Sequence, residues 1–269
     1  MRRLLIRPGA IGDCILSLPA LAHLQADYTE VWVPSAVVSL IQFAHSVLSL
    51  ASTGIDLLGI VDWEPDEKLR QTLRGFDEVV SWYGTNRPEF RAALESFGAP
   101  CQFYQALPPA EYTGHATDFF AQQVGAVLRL IPRIAVDATP RNTVVIHPFS
   151  GSKRKNWPLS SYRELASRLP CSVEWTAGPE EELPEATRFS NLLDLARWIR
   201  GARLYIGNDS GITHLAAATG VPTLALFGPT APEVWGPRGE NITVLKHDPI
   251  MELKTATVLR VAQELFGGS

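Results

Sequence analysis

Cysteine is scarce in this chain. Cys14, Cys101 and Cys171 are the three in 269 residues. So odd and scattered a set supplies neither a disulfide framework nor a metal-ligand spacing. It reads as buried thiols in a reducing compartment. Long apolar runs are missing too, for no stretch reaches the roughly 18 residues that a membrane span requires. The opening MRRLLIRPGAIGDCILSLPAL has the arginines and apolar residues of a secretion signal, but Arg7, Gly9, Gly12 and Asp13 interrupt it. The expectation is a cytosolic protein. Excess positive charge is also lacking. The 24 Lys and Arg face 28 Asp and Glu, a formal net charge of −4. No domain-wide basic surface therefore steers the chain to nucleic acid, and any positive patch must be local. Neither G-x-G-x-x-G nor the Walker lysine motif occurs, and no Asp-x-Asp pair is available to a metal ion.

What is present is a core-forming composition, 46% hydrophobic and 19% charged, over a length that suits two domains of about 130 residues. RLLIR (3–7) reads as a strand, PGAIGD (8–13) as a turn and CILSLPALAHLQ (14–25) as a helix. EVWVP (30–34) reads as a strand, AVVSLIQFAH (36–45) as a helix, PDEKLRQTLRGF (65–76) as an amphipathic helix, DEVVSWY (77–83) as a strand and RPEFRAALESFG (87–98) as a helix. A further helix is expected over TDFFAQQVGAVLRL (117–130). IPRIAVDATPRN (131–142) has two prolines and little periodicity, and the linker is expected there, between domains 1–138 and 139–269. The alternation then restarts with TVVIHP (143–148), a helix at 159–169 with a serine cap signal, strand 171–178, helix 191–202, a strand–turn–helix–strand block at 205–229, strand 242–248 and helix 251–267. The pattern predicts two doubly wound, parallel-sheet α/β lobes facing a cleft, with ligands outside the carboxyl ends of the strands.

Three turns stand at such strand ends. GNDSGITH (207–214) gathers Asn208, Asp209, Ser210, Thr213 and His214 between an apolar strand and an apolar helix. Ser210 can cap a helix starting near Gly211, whose free amides and dipole favour an anion. His214 lies one turn on, on the same face. Asp209 is repulsive to an anion unless it faces a hydroxyl; the alternatives are that it merely caps the helix and that His214 is a core histidine. HPFSGSKRKNWP (147–158) sets Ser150, Gly151 and Ser152 before Lys153, Arg154 and Lys155, a local counter-charge for oxyanions or a solvated basic loop. RPGAIGDC (7–14) carries Gly9 and Gly12 and ends in Asp13, either a general base toward the cleft or a charge complementing the helix dipole. The acids of TAGPEEE (176–182) could contact a sugar or ribose hydroxyl or simply begin a helix.

These segments together resemble glycosyltransferase family 9, the ADP-heptose:lipopolysaccharide heptosyltransferases. LLIRPGAIGDCILSLPAL, VIHPFSGSKRKNWP and YIGNDSGITHLAAATGVPTLALFGPTAPEVWGP carry the resemblance, in order along nearly the whole chain. Phe149 and Ala177 stand where the family usually has glycine. The resemblance implies a GT-B fold and an inverting, metal-independent transfer from a nucleotide-diphospho-sugar, ADP-heptose first among them. The acceptor would be a glycan or glycolipid hydroxyl, with no cofactor and no nucleic acid. It implies Asp13 as the base, with Gly9 and Gly12 in the acceptor-side loop. Ser150, Lys153, Arg154, Lys155, Ser210, Gly211 and His214 would surround the diphosphate, and Asp209 would meet hydroxyls of the donor sugar. The cytoplasm is the expected location, with contact at the inner face of the cell membrane left open. A sugar-nucleotide epimerase or hydrolase of the same fold, or a nucleotide-sugar-binding module without transfer activity, stands as the alternative.

Overall fold

A computed structural model describes residues 1–60, 65, 67–98 and 100–267. The chain divides into two compact units. The first holds Met1–Tyr112 and Ala116–Leu130, and the second holds Thr113–His115 and the chain from Ile131 on.

The first unit runs β1 (Arg2–Ile6), α1 (Ile11–His23), β2 (Tyr28–Val33), β3 (Ser46–Ser49), α2 (Glu67–Arg74), β4 (Glu78–Ser81), α3 (Pro88–Glu95), β5 (Cys101–Phe103) and α4 (Ala116–Gln123). Its five strands are parallel in the order β3-β2-β1-β4-β5. Leu4, Ile6, Trp32 and Val79 pack on one face against Leu69 and Leu73 of α2 and Phe90 and Leu94 of α3. Leu5, Val31 and Val80, on the opposite face by alternation, are buried as well. Two covered faces explain why these strands read as unbroken apolar runs.

The second unit runs β6 (Thr143–His147), α5 (Leu159–Arg168), β7 (Ser172–Trp175), α6 (Leu192–Arg200), β8 (Leu204–Asn208), α7 (Gly211–Thr219), β9 (Thr223–Phe227), α8 (Pro232–Trp235), β10 (Ile242–Lys246) and α9 (Thr255–Gly267). Its parallel order is β10-β9-β8-β6-β7. Val144, Ile146, Leu204, Ile206, Leu224 and Leu226 form one buried face with Tyr162 and Leu165 of α5 and Val258 and Ala262 of α9. Each Val, Leu and Ile among them contributes about 1.5–3 kcal/mol on full burial. The strand order reverses between β6 and β8, and outside the carboxyl ends of strands at such a point is where sheets of this kind bind ligands. The loop after β6 and the turn after β8 flank that point.

Several local expectations change. The helix expected over 36–45 is a 3-10 turn at Ser35–Leu40, followed by β3. The β-branched Val37 and Val38 suit a helix poorly. The His45 N–H instead bonds the Thr29 carbonyl at 2.9 Å, committing the chain to the sheet edge. The helix expected over 117–130 stops at Gln123, because Gly125 takes φ 70° and the Ala126 N–H reaches back to the Ala121 carbonyl at 2.9 Å. No serine caps α5; Pro158 occupies that position without a side-chain bond. The short helix α8, between the expected strands, is an element that the alternation did not predict. In the helix expected over 65–76, Asp66 lies outside the described residues. Residues 131–138 run with the second unit, where the Ile134 N–H bonds the Ala218 carbonyl at 2.9 Å.

Candidate active site

In the second unit the turn after β8 is built around a capped helix. Ser210 has extended backbone, and its Oγ accepts the Thr213 N–H at 3.3 Å. This satisfies one of the free amides of α7 and leaves the others toward the strand ends. The capping residue is thus Ser210 and not Asp209. Gly207 is required by close approach: a Cβ there would lie 2.5 Å from the Tyr205 hydroxyl and 2.9 Å from Thr213 Oγ1. The Tyr205 hydroxyl in turn lies 3.2 Å from Thr213 Oγ1.

Asp209 is 6% exposed, and its carboxylate meets a cation from the other loop. Lys155 Nζ stands 2.8 Å from Asp209 Oδ2, in an ion pair that lacks the alignment of a hydrogen bond. A carboxylate so close to a helix N-terminus is therefore neutralised by the basic loop itself. His214 is buried one turn into α7. Burial pulls its imidazole down to about 4; Asp209 pulls against this, and His115 and Lys155 push with it. It is neutral at pH 7, and its Nδ1 has no hydrogen-bond partner. His147, at the end of β6, offers Nε2 to Glu181 Oε2 at 3.1 Å, and its Nδ1 is likewise buried without a partner. Glu181 Oε2 also accepts the Gly178 N–H at 2.6 Å. Burial pushes the Glu181 carboxyl up, but the bonds from His147 and Gly178 and the charge of Arg188 outweigh it and hold the carboxyl below its ordinary value. Two buried ring nitrogens without a hydrogen-bond partner, His147 Nδ1 and His214 Nδ1, thus stand with the ion-paired Asp209 at this end of the sheet, and such atoms are costly unless a ligand or water completes them.

The basic loop is a short 3-10 turn, Lys153–Lys155. Ser150 Oγ lies 2.7 Å from Asn156 Oδ1 and 2.9 Å from the Ser152 carbonyl, so its hydroxyl shapes the loop from inside. Lys153 and Arg154 are exposed and have no ion-pair partner among the described residues. A Cβ on Gly228 would lie 3.5 Å from the Arg154 carbonyl, so the backbone after β9 backs onto this loop.

In the first unit, Gly9 turns the chain after β1 at φ 121°. A Cβ there would lie 3.1 Å from that of Asp13. Gly12 is buried in the first turn of α1, and Asp13 stands partly exposed beside it. Asp13 Oδ2 accepts the Ala10 N–H at 3.1 Å, which is the helix-complementing use of that carboxylate. Arg7 is fully buried behind the turn and donates to Ser17 Oγ (2.8 Å) and to the carbonyls of Pro8 (2.8 Å), Asp13 (3.1 Å) and Ala106 (3.2 Å).

Within the second unit, then, the expected residues Lys155, Asp209, Ser210 and His214 come together. Lys153 and Arg154 stay free at the rim. The partnership of His147 with Glu181 and the use made of Asn208 join segments far apart in the sequence. A polar residue at the end of an otherwise apolar strand was the available signal for each.

Residues 113–260 match the profile of glycosyltransferase family 9 (heptosyltransferase). The chain belongs to that family and is a glycosyltransferase with the GT-B fold. It is 27% identical to lipopolysaccharide heptosyltransferase 1 of Pseudomonas aeruginosa, over 92% of this chain and 84% of that protein. With lipopolysaccharide heptosyltransferase 1 of Escherichia coli K12 it shares 30% identity over 41% of this chain and 40% of that one. Its fold is similar to E. coli ADP-heptose LPS heptosyltransferase II, with a TM-score of 0.76, 16% identity and 98% coverage of each chain. It is also similar to E. coli heptosyltransferase WaaC with ADP, with a TM-score of 0.71, 19% identity, 98% of this chain and 100% of that one covered.

Proposed function

We propose that this glycosyltransferase moves heptose from ADP-heptose to a hydroxyl of a glycan or lipopolysaccharide-type acceptor, inverting the anomeric centre and using no metal ion. The observation that carries the reading is the pairing of Lys155 with Asp209 at 2.8 Å at the mouth of α7. It joins the cations that would take a diphosphate to the carboxylate that would take sugar hydroxyls. The names of the relatives, heptosyltransferases of lipopolysaccharide, support the donor and the acceptor class.

As the glycosidic bond to ADP breaks, negative charge grows on the departing diphosphate. Lys153 and Arg154, free at the rim, and the unpaired amides at the start of α7 would stabilise it where it develops. Lys155 would be shared between that charge and Asp209. Ser150, Ser210, Gly211 and the neutral His214 would complete the diphosphate surroundings, and Glu181, kept ionised, would accept from ribose hydroxyls. Asp13 would take the proton of the acceptor hydroxyl as it attacks the opposite face of the sugar, which gives inversion. A glycolipid acceptor implies work in the cytoplasm with peripheral contact at the inner face of the membrane.

The test is Asp13→Asn, assayed for acceptor-linked heptose and, separately, for donor binding by calorimetry. Transfer should fall about 10²–10⁴-fold, the usual contribution of a general base. Donor affinity should stay within a few fold. A variant that keeps wild-type turnover would remove Asp13 from the chemistry, and release of free heptose at the same rate without an acceptor would favour a hydrolase.

A further inference from the structure

Asn208 is the last residue of β8 and has no exposed surface, so it cannot touch a ligand. Both polar atoms of its amide are nevertheless bonded. Oδ1 accepts the Trp157 N–H at 3.0 Å and the Tyr162 hydroxyl at 2.9 Å, while Nδ2 donates to the Pro148 carbonyl at 2.8 Å. Pro148 and Trp157 are the two roots of the segment 149–156 that carries Lys153, Arg154 and Lys155. Between the roots that segment is bonded chiefly to itself, through Ser150 and the Lys155 N–H to the Ser152 carbonyl at 2.9 Å. Among the described residues it is also tied by the edge contact of the Phe149 ring with His147 and by Lys155 to Asp209, the residue that follows Asn208.

We propose that Asn208 is a positioning residue, a clamp that closes the roots of the cationic loop on the end of β8 and so fixes its cations relative to the start of α7. An amide buried in a strand is costly unless every polar atom is satisfied, and a satisfied network fixes one geometry. Here all the bonds go to one loop and the helix that follows it. An apolar residue would fill the space without selecting that geometry. The inference rests on the loop's being the diphosphate site.

The test compares ADP with adenosine by calorimetry for wild type, Asn208→Asp and Tyr162→Phe. The aspartate is isosteric but turns an oxygen toward the Pro148 carbonyl; the phenylalanine removes one bond and keeps the ring. ADP affinity should fall about tenfold or more in Asn208→Asp, roughly 1.4 kcal/mol by the affinity relation, and by less in Tyr162→Phe. Adenosine affinity should stay within about twofold in both, on the same scale. Equal losses for ADP and adenosine would mean general damage and would overturn the proposal, as would unchanged ADP affinity. Should Asn208→Asp not fold, amide exchange in the wild type decides alongside Tyr162→Phe: the Trp157 N–H should exchange as slowly as core amides of β8, and exchange as fast as that of Gly151 would overturn the clamp. Failure of the wild type to bind ADP would overturn the diphosphate site itself, and that titration tells the two failures apart.

Discussion

His214 sets the clearest expectation at the scale of a single residue. Its unfolded value is near 6.5, while burial holds the folded one at about 4. Between those values the unfolded chain binds more protons than the folded one, so stability rises with pH across the window and is lost as pH falls through it. The loss at pH 4 is on the order of 3 kcal/mol by the linkage relation. Chemical denaturation of wild type and His214→Gln at pH 7 and pH 4 would measure it. The variant should show a smaller drop between the two pH values, and an equal drop would remove His214 as its source. Asp209 and Lys155 face the same imidazole with opposite charges, so their variants should alter the window and not abolish it.

At the scale of an element, the block from β8 to α7 depends on Gly207. A methyl there would meet the Tyr205 hydroxyl and Thr213 Oγ1, and Thr213 supplies the amide that Ser210 caps. Gly207→Ala should therefore cost about 1–3 kcal/mol by overpacking and weaken ADP binding by displacing the first turn of α7. Thermal unfolding and calorimetry on the same sample would check both, and a fully stable variant would show that the turn can shift freely. The contrast with Gly125 is instructive. No atom crowds a Cβ there, and what glycine provides is its φ of 70° at the end of α4. One glycine is needed for space and the other for backbone angle.

At the scale of the whole molecule, binding and stability are linked. A ligand that binds only the folded chain adds about 2.7 kcal/mol at one hundred times its Kd. Scanning unfolding with ADP, UDP and GDP should raise the midpoint with ADP alone, since the proposed donor carries adenine. A uniform shift with all three would assign the recognition to the diphosphate and leave the base unread. Chelation by EDTA should leave the transfer rate unchanged, because cations of the chain are proposed to meet the departing diphosphate; a lost rate would reject the metal-free reading. Among the described residues no helix is long and apolar enough to cross a membrane.

Much of the fold was legible because the spacing of apolar residues along a segment sets helix or strand locally. The alternation from Arg3 to the closing helix predicted two parallel α/β units, and Ser210 announced the cap of α7. Where local signals were ambiguous, as over 36–45, the sheet edge decided, since pairing with β2 is a property of the neighbour. The site divides the same way. The residue types in GNDSGITH and SGSKRK suited an anion and a hydroxyl-bearing ligand, and equally a helix cap with a core histidine and a solvated basic loop. Only the tertiary structure decided that Lys155 pairs with Asp209, that His147 bonds Glu181, and that Asn208 reaches 51 and 60 residues back to Trp157 and Pro148. Those contacts exist because β6 lies between β7 and β8 in the sheet, and strand order is fixed by the packing of the whole unit and not by the sequence near any one strand.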